Sequence, residues 1–391
     1  MRWRTPALFA AVLALLTLFM PVVRELFVQE GRRWLYILLV SFTVTFTLTP
    51  LMIRLGHKWG LVDEPGERRI HRGSTPRTGG LAVYLGFVAA VLINSILADW
   101  MVAVLIAGTL LLAVGIWDDA RGVPAWVKLL AQLVGASMVI YSGKVLTLFP
   151  DGPVGDTLNV LLTFLWIIGI TNAFNFFDGM DGLAPGLAVL IAFFMGFVAF
   201  DTQQPGLGWL AVAMLGAGLG FLPYNFRLKG EAFIFLGDAG STFLGFTLAC
   251  LAVRGNWADN SPIVSFSNPI LIFGVLIYDM IHITIERVLT GKVNSVKSWI
   301  DYVGKDHLHH RLERALGSRR ASVAVICALM VCLGLAAIVL RKADTIEAIL
   351  LLIQATLIVG VITILEHRGR TDHRRNYSRA TDIEEVTSAT P

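Results

Sequence analysis

Charge is scarce in this sequence. Asp, Glu, Lys and Arg make up 15% of its 391 residues, against about 25% in average soluble domains. With 55% of the residues apolar, a set of soluble domains is excluded, because water-facing surfaces need the charge that is missing. Cysteine is scarcer still. Cys250, Cys327 and Cys332 all fall inside apolar segments with no Cys-x-x-Cys pair. That excludes a disulfide framework and leaves them as small packing residues. No repeat of fixed period occurs, and low complexity is confined to a polar tail after Glu366. The net charge is only +4, and no nucleic-acid partner is expected.

What the sequence has is apolar length. Segments of roughly 16–23 residues, enough to cross a ~30 Å hydrocarbon core, lie near 7–23, 34–55, 80–98, 101–117, 129–142, 158–174, 183–200, 207–223, 236–253, 268–285, 322–340 and 345–365. The expected fold is an all-α polytopic transmembrane bundle of about eleven spans, twelve with the N-terminal segment. Residues 1–33 read as an N-terminal extension, 34–365 as one integral-membrane domain, and 366–391 as a polar cytoplasmic tail. The first segment, preceded by Arg2 and Arg4, resembles a signal peptide but lacks a small-x-small cleavage site, so an uncleaved helix is expected.

Orientation follows from the basic residues. Of the 32 Lys and Arg, 23 fall in one alternate set of loops and four in the other. The basic set is expected to be cytoplasmic. Asp63, Asp118, Asp119, Asp178, Asp181, Asp238 and Asp306 fall on that same side, at helix ends. A transporter buries its carboxylates near the midplane on broken helices. Here the segments read unbroken and the acids gather at one face, which favours an enzyme joining a water-soluble substrate to a lipid.

The stretch from Thr171 to Pro185 concentrates this chemistry. It places Asn172, Asn175, Asp178 and Asp181 at the end of an apolar run. Steps of three residues turn about 300° each, so Asn172, Asn175 and Asp178 share a helix side. Four polar groups at the rim of a hydrophobic segment are costly unless they hold something. A cap for the helix at 183 could use one acid, but not all four groups.

Four further constellations share that face. Residues 62–80 carry Arg68, Arg69, His71 and Arg77 ahead of a helix opening at Gly79-Gly80, an anion site or a loop on lipid headgroups. Asp118-Asp119 is followed by Lys128. The acids could hold a divalent ion, activate a phosphate or cap a helix, and Lys128 could contact phosphate or snorkel. Asp238 opens a helix between Gly237 and Gly240, suited to Mg²⁺ or to capping. Phe235 before it could stack on a base or pack at the bilayer edge. Asp306-His-Leu-His-His-Arg places His307 and His310 on one helix face with Arg311 beside them, and His309 elsewhere. Arg311 repels a zinc ion, so pyrophosphate or sugar binding suits this loop better than zinc.

In this order, the motifs Asp-x-Pro-x-x-Arg-Arg-x-His with Pro-Arg-x-Gly-Gly, Asp-Asp, Asn-x-x-Asn-x-x-Asp-Gly-x-Asp-Gly, Phe-Leu-Gly-Asp-x-Gly-Ser and His-x-His-His-Arg resemble those of the polyprenyl-phosphate N-acetylhexosamine-1-phosphate transferases. The resemblance runs from about Leu35 to Leu365. It implies a multi-pass bacterial cell-membrane enzyme with its active site on the cytoplasmic face. There the phosphate of undecaprenyl phosphate attacks the β-phosphorus of a UDP-N-acetylhexosamine, releasing UMP, with Mg²⁺ or alternatively Mn²⁺ as cofactor. It further implies Asp238 and Asn175 as metal ligands and Asp118, Asp119 and Asp178 as catalytic acids. Substrate contacts would come from His71, Arg77, Lys128, Asn172, Asp181, Phe235, His307, His309, His310 and Arg311. The partners implied are the nucleotide sugar, undecaprenyl phosphate, the bilayer and a second copy as homodimer. His-Leu-His-His-Arg resembles the branch that uses UDP-N-acetylglucosamine to initiate envelope glycans. The runner-up, the phospho-N-acetylmuramoyl-pentapeptide transferases, carries three consecutive histidines there. A membrane transporter is the distant alternative.

Overall fold

A computed structural model describes residues 4–64, 74–143, 145–227, 229–257, 262–295, 298, 299, 302, 304, 306–341, 344, 346–361 and 363. The chain is an almost wholly helical bundle, with α1 (Arg4–Leu18), α2 (Pro21–Gln29), α3 (Arg33–Trp59), α4 (Gly79–Ile93), α5 (Asp99–Arg121) and α6 (Ala125–Tyr141) in its first part. There follow α7 (Pro153–Phe177), α8 (Leu183–Asp201), α9 (Pro205–Asn225), α10 (Gly237–Arg254), α11 (Pro262–Ile272) and α12 (Gly274–Leu289). A short amphipathic α13 (Leu308–Leu316) precedes α14 (Arg319–Leu340) and α15 (Ile346–Val361). One antiparallel pair, β1 (Val62–Asp63) with β2 (Thr75–Pro76), matches Val62 to Pro76 and Asp63 to Thr75.

Among the described residues six helices are long and apolar enough to cross a membrane, or eight if each of two bent pairs counts as one span. The shorter apolar helices α4, α6 and α15 and the central α10 complete a polytopic bundle, as the apolar segments lead one to expect. Two of those segments are not straight, which corrects the expectation of unbroken spans. Segment 7–23 bends by 77° between α1 and α2. Pro21 opens α2 and holds Met20 in extended backbone, where a helix cannot continue. Segment 268–285 bends by 83° between α11 and α12. Pro269 in the last turn of α11 removes a ladder hydrogen bond there, and the Asn268 side chain instead donates to Ala337 O on α14 at 2.7 Å. The motif residues Arg68, Arg69 and His71, and the tail 366–391, lie outside the described residues.

The organising element is α10. Every residue from Ala239 to Val253 is buried, so this helix is enclosed by α4, α5, α7, α8 and α9 rather than by lipid. Small residues admit it. A Cβ on Gly80 would lie 2.3 Å from Gly240 Cα, and one on Gly115 would lie 2.4 Å from Ala239 Cα. Backbones therefore touch at the first turn of α10, which fixes where α4 and α5 end relative to it. All the motif-bearing junctions that are described meet at this end of the bundle.

Candidate active site

Asp119 lies one turn beyond Gly115, so the close contact of α5 with Ala239 carries its carboxylate to the N-terminus of α10. The Asp238 and Ala239 N–H groups donate to it at 3.1 and 3.2 Å. A carboxylate there satisfies two otherwise unpaired amides and the positive end of the helix dipole. Its neighbour Asp118 faces a different partner. Lys128 Nζ, from the first turn of α6, donates to Asp118 Oδ2 at 2.8 Å and to Asp238 Oδ2 at 3.1 Å. Val123 N–H donates to the other Asp118 oxygen at 2.6 Å. The adjacent acids are thus divided between a helix terminus and a lysine, and do not present one joint face. Lys128 bridges two carboxylates rather than snorkelling.

Asp178 ends α7 and stands close to Asp238 and Asp119. Burial first, then the charges of those two acids, push its carboxyl well above the usual range, against the opposing pull of the Gly237 N–H. Asn175, one turn earlier, donates its amide to Ser241 Oγ on α10 at 3.0 Å. Asn172 points to a different partner: its amide and that of Gln132 on α6 exchange hydrogen bonds of 2.7 and 3.2 Å. It clasps α7 to α6. Asp181 accepts from Ala232 N–H at 2.8 Å, which ties the turn after α7 to the strap between α9 and α10. Phe235 is half-buried on that strap, and its main chain bonds Pro76 O and the Gly79 N–H. Arg77 pairs with Asp63 across β1 and β2.

The histidine loop lies over this turn. His307 precedes α13 instead of sharing a helical face with His310, and its ring stacks on Phe176 with centroids 4.7 Å apart. His309, expected to point elsewhere, is the inward residue. It is 1% exposed and its Nε2 lies 2.7 Å from where a Cβ on Gly179 would be. Only a glycine in that turn lets the ring in. Among the described residues, neither buried ring nitrogen of His309 has a hydrogen-bond partner. Burial first, then the nearby charges of His310, His307, Arg319 and Arg311, hold it well below the ordinary histidine value. His310 is half-buried beside Glu313. Arg311, 3% exposed, turns inward to Asp279.

Two participants escaped the motif reading. Asn225, buried at the end of α9, accepts from Gly182 N–H at 2.6 Å and donates to Ile234 O at 3.0 Å. It joins the start of α8 to the strap. Asp279, fully buried on α12, accepts from His307 Nδ1 at 2.8 Å, Leu308 N–H at 2.7 Å and Arg311 Nη2 at 3.4 Å. Each is a lone polar residue in an apolar run, which is the one signal the sequence offers for it.

The donor chemistry suits a hard divalent cation. Asp118, Asp119, Asp178 and Asp238 crowd together with Lys128 as the cation between two of them, and the Asn175 hydrogen bond leaves its oxygen side as donor. Among the described residues no group of three or more His, Cys, Asp or Glu forms a metal cage. Mg²⁺ does not need one, since it is commonly held by one or two carboxylates plus substrate phosphates. The end of the bundle thus combines anionic oxygen donors, one fixed lysine and a basic imidazole loop. That set serves transfer between phosphates.

Residues 101–256 match the family described as glycosyl transferase family 4. The chain is 36% identical over 311 residues to a probable undecaprenyl-phosphate N-acetylglucosaminyl 1-phosphate transferase of Bacillus subtilis (strain 168), covering 78% of this chain and 84% of that one. It is 31% identical over 367 residues to a decaprenyl-phosphate N-acetylglucosaminephosphotransferase of Mycobacterium tuberculosis (strain ATCC 25618 / H37Rv), covering 85% and 89%. A phospho-N-acetylmuramoyl-pentapeptide-transferase of Levilactobacillus brevis is 32% identical over 245 residues, covering 55% of this chain and 74% of its own length.

Proposed function

This chain belongs to glycosyl transferase family 4, and on that premise we propose that it moves N-acetylglucosamine 1-phosphate from UDP-N-acetylglucosamine to undecaprenyl phosphate. The reaction takes place at the cytoplasmic face of a bacterial cell membrane and initiates an envelope glycan. A lipid-phosphate oxygen forms a bond to the β-phosphorus, the bond from that phosphorus to the bridging oxygen breaks, and UMP leaves. The carrying observation is the Asp118–Lys128–Asp238 bridge at the N-terminus of α10, under the histidine loop.

In this reading Lys128 supplies fixed positive charge to the phosphates, and Asp118, held by Val123 and Lys128, orients the acceptor. Asp119 acts by seating the first turn of α10, and so by placing Asp238. Asp238 and the Asn175 oxygen would hold Mg²⁺, which supplies charge neutralisation to two anionic reactants when bound. His309 and His310 face the pyrophosphate and sugar. Asp181, on the turn after α7, and Phe235, on the strap that this turn bonds, stand at the nucleotide end.

Detergent-purified protein supplied with undecaprenyl phosphate, Mg²⁺ and a panel of UDP-sugars should release UMP with UDP-N-acetylglucosamine. Asp118→Asn, Asp178→Asn and Asp238→Asn should each abolish release while eluting as folded protein. Full release in all three variants, or turnover with the muramoyl-pentapeptide nucleotide alone, would overturn the reading.

A further inference from the structure

The histidine loop is anchored from outside the motifs. Asp279 sits in the middle of α12, in the run Ile277-Tyr278-Asp279-Met280-Ile281, and is 0% exposed. A buried carboxylate in a membrane-protein core is costly unless several donors converge on it. Three do: His307 Nδ1 at 2.8 Å, the first free N–H of α13 at Leu308 at 2.7 Å, and Arg311 Nη2 at 3.4 Å. They arise from one short segment. The same carboxylate therefore caps α13, turns Arg311 inward and fixes the plane of the His307 ring, whose face lies on Phe176 beside Asn175.

We propose that Asp279 is a positioning residue for the transfer reaction: through His307 it sets the tautomer and the seat of the loop that closes over the Asp178–Asp181 turn. The proposal rests on the reading above, in which that loop faces the nucleotide sugar. A carboxylate can only accept, so the proton of a neutral His307 must reside on Nδ1, which leaves Nε2 as the acceptor on the far edge of the ring. His309, two residues on, is carried by the same helix start into the space above Gly179. A carboxylate behind an imidazole orients it in this way, and behind metal-bound histidines its removal costs about 10- to 100-fold in affinity or activity.

The chemistry of Asp279→Asn is specific. An amide offers one accepting oxygen and two donating hydrogens. Leu308 N–H and Arg311 can only donate, so they claim the oxygen. His307 alone can switch role, taking the amide hydrogen at Nδ1 and moving its own proton to Nε2. Three measurements test the proposal on full-length protein in detergent. Nitrogen-15 spectra of labelled histidine should show His307 as the Nδ1–H form in wild type and in Asp279→Glu, and as Nε2–H in Asp279→Asn. UMP release should fall about 10- to 100-fold in kcat/KM for Asp279→Asn, with partial recovery in Asp279→Glu. In a double-mutant cycle, Asp279→Asn added to His307→Gln should cost little more than His307→Gln alone, since one acts through the other.

Wild-type kcat/KM in a folded Asp279→Asn, fully additive losses, or an Nε2–H tautomer in the wild type would each overturn the proposal. Should Asp279→Asn not fold, the wild-type and Asp279→Glu spectra still decide the tautomer. A wild type that releases no UMP sinks the transferase reading instead, and leaves the tautomer to be judged alone.

Discussion

Gly115→Ala is a sharp test of how the fold holds the site. The Cβ it adds would lie 2.4 Å from Ala239 Cα and 2.6 Å from Ala239 N, both backbone atoms that no rotamer change can move. Ordinary contact begins at 3.4 Å, so α5 and α10 must separate by about 1 Å to accommodate it. Asp119 lies four residues on, about 6 Å along the helix, and shares in that shift. Its hydrogen bonds of 3.1 and 3.2 Å to Asp238 and Ala239 lengthen to around 4 Å, beyond hydrogen-bond range. Overpacking alone costs about 1–3 kcal/mol, and a misplacement of about 1 Å in a catalytic group costs on the order of 100-fold in rate. Gly169 in α7 is the control. A Cβ there meets nothing within 4 Å, so Gly169→Ala should be neutral or stabilise by about 0.5–1 kcal/mol. The assay is UMP release together with thermal melting in detergent. A Gly115→Ala protein with wild-type kcat/KM would refute the argument that this backbone contact seats the carboxylates.

Two more outcomes follow from the ion pairs. Lys128→Met leaves Asp118 and Asp238 facing each other with no cation between them, and should lower kcat by about 10²–10³. Unchanged turnover would show that the lysine is only structural. Asp306 accepts from Arg287 Nε at 2.9 Å and Nη2 at 2.7 Å. Burial raises its carboxyl, but the hydrogen bonds and charge of Arg287 prevail and hold it below the usual value. A depressed folded-state value stabilises above the unfolded pKa of about 3.9 and is lost as pH falls through the folded value. Asp306→Ala should cost about 1–2 kcal/mol near neutrality, since the pair is partly screened by solvent, and the gap to wild type in melting temperature should close on acidification. A gap that widens towards low pH contradicts the assignment.

The bundle and its polar end were legible because two independent patterns agree. Apolar lengths mark the spans, and the basic loops mark the face on which Asp118, Asp178 and Asp238 also fall. Partnerships were not legible. Neighbouring acids look equivalent in sequence, yet one turn of helix separates Gly115 from Asp119 and sends that carboxylate to α10 while Asp118 meets Lys128. Asn172 fits the three-residue spacing of Asn175 and Asp178, but Gln132, a lone amide in another span, claims it. The inner order of the histidine loop departs from helical spacing counted from His307, because α13 begins only at Leu308 and His307 stays in extended backbone. Asp279 and Asn225 have no motif around them. Each acts on a segment distant in sequence, and only the packing of α12 and α9 reveals it.

The enclosed position of α10 also bears on how the protein is made. Its partners α4, α5 and α7 are synthesised first, and the glycines that α4 and α5 turn toward it, Gly80, Gly108 and Gly115, have no mate until residues 237–254 leave the ribosome. Until then the slot between them has no central helix, and Asp119 lacks the Asp238 and Ala239 amides that pair with it in the finished fold. Insertion of one helix then closes the slot and brings Asp118, Asp119, Lys128 and Asp238 together. The histidine loop follows some fifty residues later, laid over a finished turn. A chain stopped after residue 203 should be a client for membrane quality control, and co-expression of residues 1–203 with 204–391 should restore activity if the bundle accepts α9 and α10 from a separate chain.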